Sequence, residues 1–454
     1  MSSLMRNRLS VLLFLLLCSV GSIGAAWQVR NWGDALSGAD PFSESNVIRE
    51  VHNFLDTGLL ANAGLGNVLR PDLYPDEGFQ GYPESRPHSV TPSGIYTHYP
   101  PGPEYILYVA MRVLGTHPIS LLRGVPLTIT WLAAVFFGFS LRRRFGTTAA
   151  AIAMLACAML PAFSDSDSLL HYEGYAFALL LVEIGLALGR NAMVLPFGLL
   201  GFFQGWLSFD YVFLVTLLPG AIELAMPRLD PDHTARKRLA FSRCAAAGAG
   251  FVLAHVMHLC QVCAFYGSLP LAVRDLSDAA AYRTGEIGPL QRIVLTCLVL
   301  RHYLIGPNPI SMLLGDLDTH GLRTLRGFRF GGLTLGIWWL LLTHVFIAAW
   351  LRQGRERPAG RRRIDNDWLA VTLCGVVPSC LWYIAMPAHA FIHEHLLYRH
   401  LFFCFFLGIM FCAIQLANVL HAFWPSLRGA LPGPGLPVFA AARAAALPAD
   451  QQHG

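Results

Sequence analysis

Charged side chains are scarce in this sequence. Only 13% of its 454 residues are Asp, Glu, Lys or Arg, whereas an average soluble domain has about 25%. Hydrophobic residues make up 54%, and the mean hydropathy is +0.48. This composition excludes an ordinary soluble domain and predicts a polytopic membrane protein. The net charge of +5 does not indicate a nucleic-acid partner, because basic residues in membrane proteins mainly set the orientation of the chain.

The sequence also has few cysteines in polar segments, and it shows no internal repeat. Nearly all of the 10 cysteines lie in apolar stretches, which argues against a disulfide framework. Cys260 and Cys263 form a CxxC, but no second pair accompanies them, so we interpret them as small buried residues. The lack of a repeat with ionisable residues near mid-membrane argues against an ordinary transporter.

What the chain does contain is a series of apolar stretches separated by short loops rich in Arg. The predicted spans lie near residues 9–27, 119–140, 147–163, 171–189, 192–208, 211–226, 244–265, 332–351, 368–386 and 401–423. With both ends in the cytoplasm, the Arg-rich short loops all fall inside, as the positive-inside rule requires. The sequence therefore predicts an all-α polytopic membrane protein with about ten transmembrane helices.

Two further apolar stretches are not predicted to cross. Residues 105–115 are too few for the ~20 that a span needs, so we expect them to lie against the outer leaflet or to re-enter partway. Residues 290–305 contain Arg292, Arg301 and His302, which favour an interfacial helix. A large first outer loop would then carry juxtamembrane helices.

We expect residues 1–424 to form one transmembrane catalytic domain. Its large outer loops are residues 28–101 and 267–330, and residues 425–454, rich in Ala and Pro, are predicted to be a disordered cytoplasmic tail. The first apolar stretch is interpreted as an uncleaved anchor rather than a signal peptide.

This topology brings polar residues from separate loops to the outer face. They are Asp40, Glu44, Asp165, Asp167, His171, Glu173, Asp210, His389, His393, Glu394, His395, Tyr398, Arg399 and His400. After Glu44, the spacing of Val47, Val51 and Phe54 predicts an amphipathic helix that lies flat on the membrane and ends at Thr57-Gly58. A polar stripe of His255, His258 and Gln261 near the outer end of one span indicates a cavity that opens outward.

This pattern resembles the first outer loop of the GT-C glycosyltransferases. The shared features are acidic residues, a surface helix that ends in Gly58 and a later Tyr-Pro-Pro at residues 99–101 before an apolar stretch. The nearest subset is the protein O-mannosyltransferase and aminoarabinose-transferase type, with its bacterial relatives. The adjacent Asp-Glu of that type aligns with Ser43-Glu44, so its Asp is missing here. Asp40-Pro41-Phe42 resembles the Asp-Pro-aromatic of the oligosaccharyltransferase catalytic subunit, but the chain has no Trp-Trp-Asp-Tyr-Gly stretch, which argues against that subfamily.

The resemblance implies an inverting transfer of a sugar from a polyprenyl-phosphate carrier to a lipid, glycan or protein acceptor, at the periplasmic face of a bacterial inner membrane. Because polyprenyl phosphate leaves as a stable anion, the site needs only a base and a cationic clamp. We expect Asp40 to be the base, Glu44 to assist it or orient the acceptor, and Arg399 to clamp the phosphate. The other expected substrate-binding residues are Tyr96, His98, Tyr99, Asp167, His171, His393, His395 and His400.

Several alternatives stay open at this point. Asp40 could begin a turn, Asp165 and Asp167 could cap a helix, Asp210 could be a turn residue, and the tyrosines could be interfacial anchors. We assign no metal ligand. The His389–His400 cluster has side chains that could bind a divalent metal, but it lacks an HExxH pattern. The competing functions are a flippase for polyprenyl-linked glycans or another lipid transporter, and an O-antigen ligase or polymerase that uses the late loop 267–330.

Overall fold

A computed structural model describes most of the helical part of the chain. The described residues are 3–32, 41–69, 73, 94–115, 118–158, 169–189, 193–225, 233–285, 288–294, 297, 364–387, 389 and 398–423. The predictions for Asp40, Asp165, Asp167, His393 and His395 lie outside these residues, as do those for residues 332–351 and 425–454. Arg399 and His400 belong to the first turn of the last described helix.

The described residues are helical and contain no strand, as the predicted fold class requires; an isolated antiparallel bridge joins Asn67 and Ile95. The helices are α1 Ser3–Trp32, α2 Pro41–Thr57, α3 Gly102–Leu114, α4 Ile119–Leu122, α5 Gly124–Phe145, α6 Thr147–Ala158, α7 Glu173–Leu188, α8 Leu195–Leu207, α9 Val212–Ala225, α10 His233–Tyr266, α11 Leu269–Thr284, α12 Ile364–Ala385 and α13 Tyr398–Phe423, with a short 3₁₀ helix at Ala61–Gly64.

Two helical stretches of the described chain, Ile119–Phe145 and Thr234–Tyr266, are long and apolar enough to cross a membrane. Shorter apolar helices coincide with other predicted spans: Val11–Gly24, Leu195–Leu207, Val212–Ala225, Gly375–Ala385 and Phe406–Ala417. The number of ten crossings stays a prediction. The span predicted near residues 244–265 lies within α10, which begins earlier, at His233. Arg and Lys are good helix formers, so the helix continues through a basic segment that hydropathy alone assigns to a loop.

Small residues set the close packing of α8 against α10. A Cβ on Gly201 would lie 2.0 Å from the Ala247 carbonyl oxygen, and one on Gly250 would lie 1.9 Å from the Gly198 carbonyl oxygen. Backbones that approach this closely are typical of helices packed through glycine and alanine in membranes. The pairing fixes the outer end of α10, which carries His258 and Gln261 towards the first outer loop.

The amphipathic helix predicted after Glu44 is confirmed as α2. Its Val47, Val51 and Phe54 are buried, and Gly58 follows it with a φ of +92°, a left-handed conformation that favours glycine. However, every residue from 44 to 51 is buried, including Glu44, Arg49 and Glu50. A helix that lies flat on a membrane would keep its polar face in water. The first half of α2 is instead enclosed by protein, and its polar side chains bind protein groups there.

Candidate active site

A stack of aromatic rings around Tyr99 joins segments that are distant in the sequence. The Tyr99 ring centroid lies 6.0 Å from that of Tyr96, 5.7 Å from that of Tyr172 and 4.8 Å from that of Phe209, with interplanar angles of 4°, 14° and 25°. Tyr172 precedes α7, and Phe209 lies between α8 and α9. These segments are therefore in contact around Tyr99, while their place at an outer membrane surface stays a prediction. Burial raises the pKa of Tyr99, so its hydroxyl stays protonated.

A buried cation lies on this stack. The Arg283 Cζ, from α11, is 5.0 Å from the Tyr99 ring centroid and 4.9 Å from that of Phe209. Its Nη1 donates to the Ala279 carbonyl at 3.1 Å, and its Nε has no hydrogen-bond partner in the described part of the chain. The residue is 8% exposed. Because arginine does not lose its proton in proteins, this guanidinium holds a permanent charge and a donor suited to an anion.

An imidazole and a carboxylate lie beside the same ring. The His389 Nε2 is 3.5 Å from the Tyr99 hydroxyl and 3.9 Å from the Asp210 Oδ1. Asp210 does lie in a turn, as the simpler interpretation required: its N–H donates to the Ser208 hydroxyl, which donates to its Oδ2 at 3.0 Å. The turn also places its other carboxylate oxygen next to His389. Asp210 therefore forms the turn and also lies next to His389, while a role in a reaction stays a prediction.

His98 contacts the second outer loop. Its Nε2 is 3.6 Å from the Asp275 Oδ1 of α11, and both side chains are largely buried. Burial lowers the pKa of His98, although the neighbouring Asp275 carboxylate opposes that shift. At 3.6 Å the contact is longer than a hydrogen bond, and it joins a mostly neutral ring to the carboxylate at neutral pH. It fastens the Tyr96–Tyr99 segment to the helix that carries Arg283.

Two residues of the polar stripe of α10 bind the segments that flank the first loop. His258 Nε2 lies 2.7 Å from the Thr97 carbonyl oxygen, and Gln261 donates to the Tyr105 hydroxyl at 2.9 Å. That hydroxyl donates to the Gly64 carbonyl at 2.7 Å. Loop backbone thus supplies acceptors that buried donors need, and the outward cavity stays a prediction.

Glu44 takes part in a fully buried ion pair that the sequence did not predict. Both Glu44 and Arg123 are 0% exposed, and the two guanidinium Nη atoms donate to the two carboxylate oxygens, with Nη2 to Oε2 at 2.8 Å. The Leu170 N–H donates to Oε1 at 3.1 Å. Next to Leu170, the buried His171 accepts a hydrogen bond at Nδ1 from the Glu173 N–H at 3.4 Å. Both Glu44 oxygens are therefore bound to protein groups.

Two acidic residues, Glu50 of α2 and Glu104 of α3, form a second buried pair of ionisable groups. Burial raises the pKa of Glu50, and the charge of Glu104 raises it further. Burial raises the pKa of Glu104 to about 7, and its Oε2 has no hydrogen-bond partner in the described residues. Two carboxyl groups this close cannot both ionise cheaply. Neither residue belonged to the predicted site, because each occupies an ordinary polar position of its helix.

This pair gives a pH prediction. A carboxyl whose pKa is higher in the folded protein stabilises the fold below its unfolded pKa, and that contribution is lost as the pH rises towards the folded pKa. We therefore expect the melting temperature to fall by several degrees between about pH 5 and about pH 8. Glu104→Gln should flatten this slope, whereas Asp278→Asn, at a largely exposed carboxylate of α11, should retain it. An unchanged slope in Glu104→Gln would contradict the assignment.

The structure thus brings part of the predicted site together. Tyr96, His98 and Tyr99 lie around Arg283 and His389, and His171 precedes the stacked Tyr172. Sequence analysis missed Arg123, Arg283 and Asp275. Only the position of Arg283 and Asp275 in the second predicted outer loop could have indicated that they belong to the site. Within the described ranges, no group of three His, Cys, Asp or Glu residues is arranged to hold a metal ion. The question of a divalent metal at His393, Glu394 and His395 falls outside those ranges.

No family model and no curated protein matches the sequence. Similar solved structures are of the oligosaccharyltransferase of the archaeon Archaeoglobus fulgidus. The zinc and sulfate complex is 17% identical, with a TM-score of 0.47 over 97% of this chain and 52% of that one. The apo form is 15% identical, with a TM-score of 0.46 over 92% and 52%. The complex with an inhibitory peptide and a dolichol-phosphate is 16% identical, with a TM-score of 0.45 over 95% and 53%. This chain therefore spans about half the length of these solved chains.

Proposed function

We propose that the protein is a membrane glycosyltransferase of the GT-C type. It moves a sugar from a polyprenyl-phosphate carrier to a hydroxyl acceptor at the periplasmic face of the inner membrane. The observation that carries the proposal is the buried guanidinium of Arg283 on the Tyr99 and Phe209 rings, next to His389. A permanent cation with an unused N–H donor, assembled from separate outer segments, is the feature that a phosphate leaving group needs.

Arg283 extends the expected cationic clamp. As the bond between the sugar and the phosphate breaks, negative charge grows on the phosphate oxygens, and a nearby guanidinium stabilises it. A low-dielectric environment strengthens this attraction relative to water. His389 can add a second donor when its ring nitrogen carries a proton, with Asp210 beside it. In this proposal Arg399, His393, His395 and His400 act on the same phosphate from the last outer loop.

The base remains Asp40. In one displacement the acceptor oxygen forms a bond to the anomeric carbon, the carbon–oxygen bond to phosphate breaks, and the acceptor proton passes to the Asp40 carboxylate. A single displacement inverts the anomeric carbon. No acid is required, because the phosphate leaves as an anion. Asp167, His171, Tyr96 and His98 are proposed to line the sugar and acceptor side.

A reconstituted assay tests the proposal against its competitors. Purified protein in detergent micelles receives either a labelled sugar on polyprenyl monophosphate or an oligosaccharide on polyprenyl diphosphate, with an extract of envelope acceptors. We expect labelled acceptor and free polyprenyl phosphate from the monophosphate donor alone. A flippase makes no new covalent product in micelles, and a ligase or polymerase consumes the diphosphate donor. Either of those results would overturn the proposal.

A further inference from the structure

The Glu44–Arg123 pair connects segments on both sides of the proposed reaction. Glu44 lies in the first turn of α2, four residues after Asp40, and Arg123 stands between α4 and α5. The third bond to the carboxylate comes from the backbone N–H of Leu170, at 3.1 Å. Two residues later, Tyr172 stacks on Tyr99. The Glu44 carboxylate thus joins the start of α2 to the segment of Leu170 and Tyr172, and Tyr172 stacks on the Tyr99 ring that Arg283 contacts.

Stability alone is a poor explanation for this pair. A buried ion pair loses so much hydration that apolar side chains of similar volume often stabilise a fold equally well or better. Arg123 and Glu44 are nevertheless both 0% exposed and bonded through both oxygens, a geometry that defines distance and angle. The described chain contains one comparable case: Arg243 Nη1 donates to Glu223 Oε2 at 2.8 Å, with exposures of 1% and 2%. Phe209 lies just before α9, whereas Glu223 lies near the other end of this helix. The helical rise per residue places Glu223 roughly 16 Å from the first residue of α9.

We infer that Glu44 and Arg123 are positioning residues, which hold the start of α2, the segment that directly follows Asp40 in the sequence, in register with the Tyr172–Tyr99–Arg283 stack. The inference rests on the proposed function. Glu44 then acts through its neighbours and does not itself contact the acceptor, because Arg123 and Leu170 occupy its oxygens. The distance between base and phosphate clamp would depend on this pair, since misplacement of a reacting group by about 1 Å can cost about 100-fold in rate.

The test compares the two buried pairs in matched variants. Glu44→Gln and Arg123→Lys retain size or charge but break the two-pronged contact, and we expect kcat to fall about 10- to 100-fold with little change in KM for the donor. Glu223→Gln and Arg243→Lys should lower the melting temperature to a similar extent and leave kcat per folded enzyme unchanged. Glu44→Asp, which retains the charge, serves if Glu44→Gln does not fold, and its kcat should also fall.

A second measurement separates positioning from a general loss of structure. Tyr172→Leu combined with Glu44→Gln should lower kcat by less than the product of the two single effects, because both changes disturb one contact chain. Tyr172→Leu combined with Glu223→Gln should give the product. If the wild type transfers sugar and Glu44→Gln matches it in kcat, this inference alone fails. If the wild type transfers no sugar from any polyprenyl-phosphate donor, the proposed function fails, and the inference fails with it.

Discussion

Arg283→Gln is expected to lower kcat/KM for sugar transfer by about 100- to 1,000-fold, the loss typical when one preorganised donor to a developing oxyanion is removed. Glutamine retains some length and polarity but removes the charge that lies on Tyr99 and Phe209. The initial rate of labelled-sugar release from polyprenyl phosphate measures this loss. Arg283→Lys should fall between the wild type and Arg283→Gln, because an ammonium retains the charge without the planar fork.

The same helix supplies a matched control. The Arg274 side chain of α11 is 80% exposed. Among the ion pairs of the described residues, it takes part only in one with Asp278, whose side chain is 60% exposed and 3.9 Å away. Arg274→Gln removes an equal charge from the same helix and should leave the rate unchanged, because exposed pairs contribute little. Equal rates for Arg283→Gln and the wild type would remove the cationic clamp from the account.

Asp40→Asn is expected to reduce transfer about 100- to 10,000-fold, the range that general base catalysis supplies. Asparagine has nearly the same shape as aspartate but cannot accept the acceptor proton at neutral pH. Binding of the polyprenyl-phosphate carrier should remain within about twofold of the wild type, because the phosphate contacts are supplied by other residues. Product formation and carrier binding are measured on the same preparation.

Asp56 provides the comparison on the same helix. It is an exposed carboxylate in the last turn of α2, and Asp56→Asn should transfer sugar at the wild-type rate. An Asp40→Asn protein that transfers normally would favour the turn-forming role of Asp40, and with it the lipid-transport alternative. A protein that loses both transfer and carrier binding would show that Asp40 supports the lipid site instead of the chemistry.

Much of the fold follows from periodicity and hydropathy. The apolar spacing of Val47, Val51 and Phe54 predicted α2, and Gly58 supplied its end because glycine adopts the left-handed conformation there. Likewise, assignment of basic loops to one face placed Tyr99, Asp210 and His389 on the other, and the structure brings these three side chains together. Such signals are local, and they survive without knowledge of which helices pack against each other.

The missed residues have partners that are distant in the sequence. Glu44 pairs with Arg123, and Glu50 lies against Glu104, although each polar residue of α2 satisfies the pattern of a solvent-facing position. A hydrophobic pattern reveals which face is apolar, but it does not reveal that neighbouring helices also cover the polar face. Arg283 was missed for a related reason: its aromatic partners come from other loops, and nothing in its own helix distinguishes it from Arg274.

The central claim is that a phosphate-bearing lipid binds beside the Tyr99–Arg283 stack. The most direct measurement is a structure of the full chain with a bound polyprenyl phosphate. The account predicts a phosphate oxygen within hydrogen-bond distance of an Arg283 nitrogen, about 2.7–3.2 Å. A phosphate bound at the opposite end of the helices, beside Arg243 and Glu223, with Arg283 lacking any contact to it, would contradict the account.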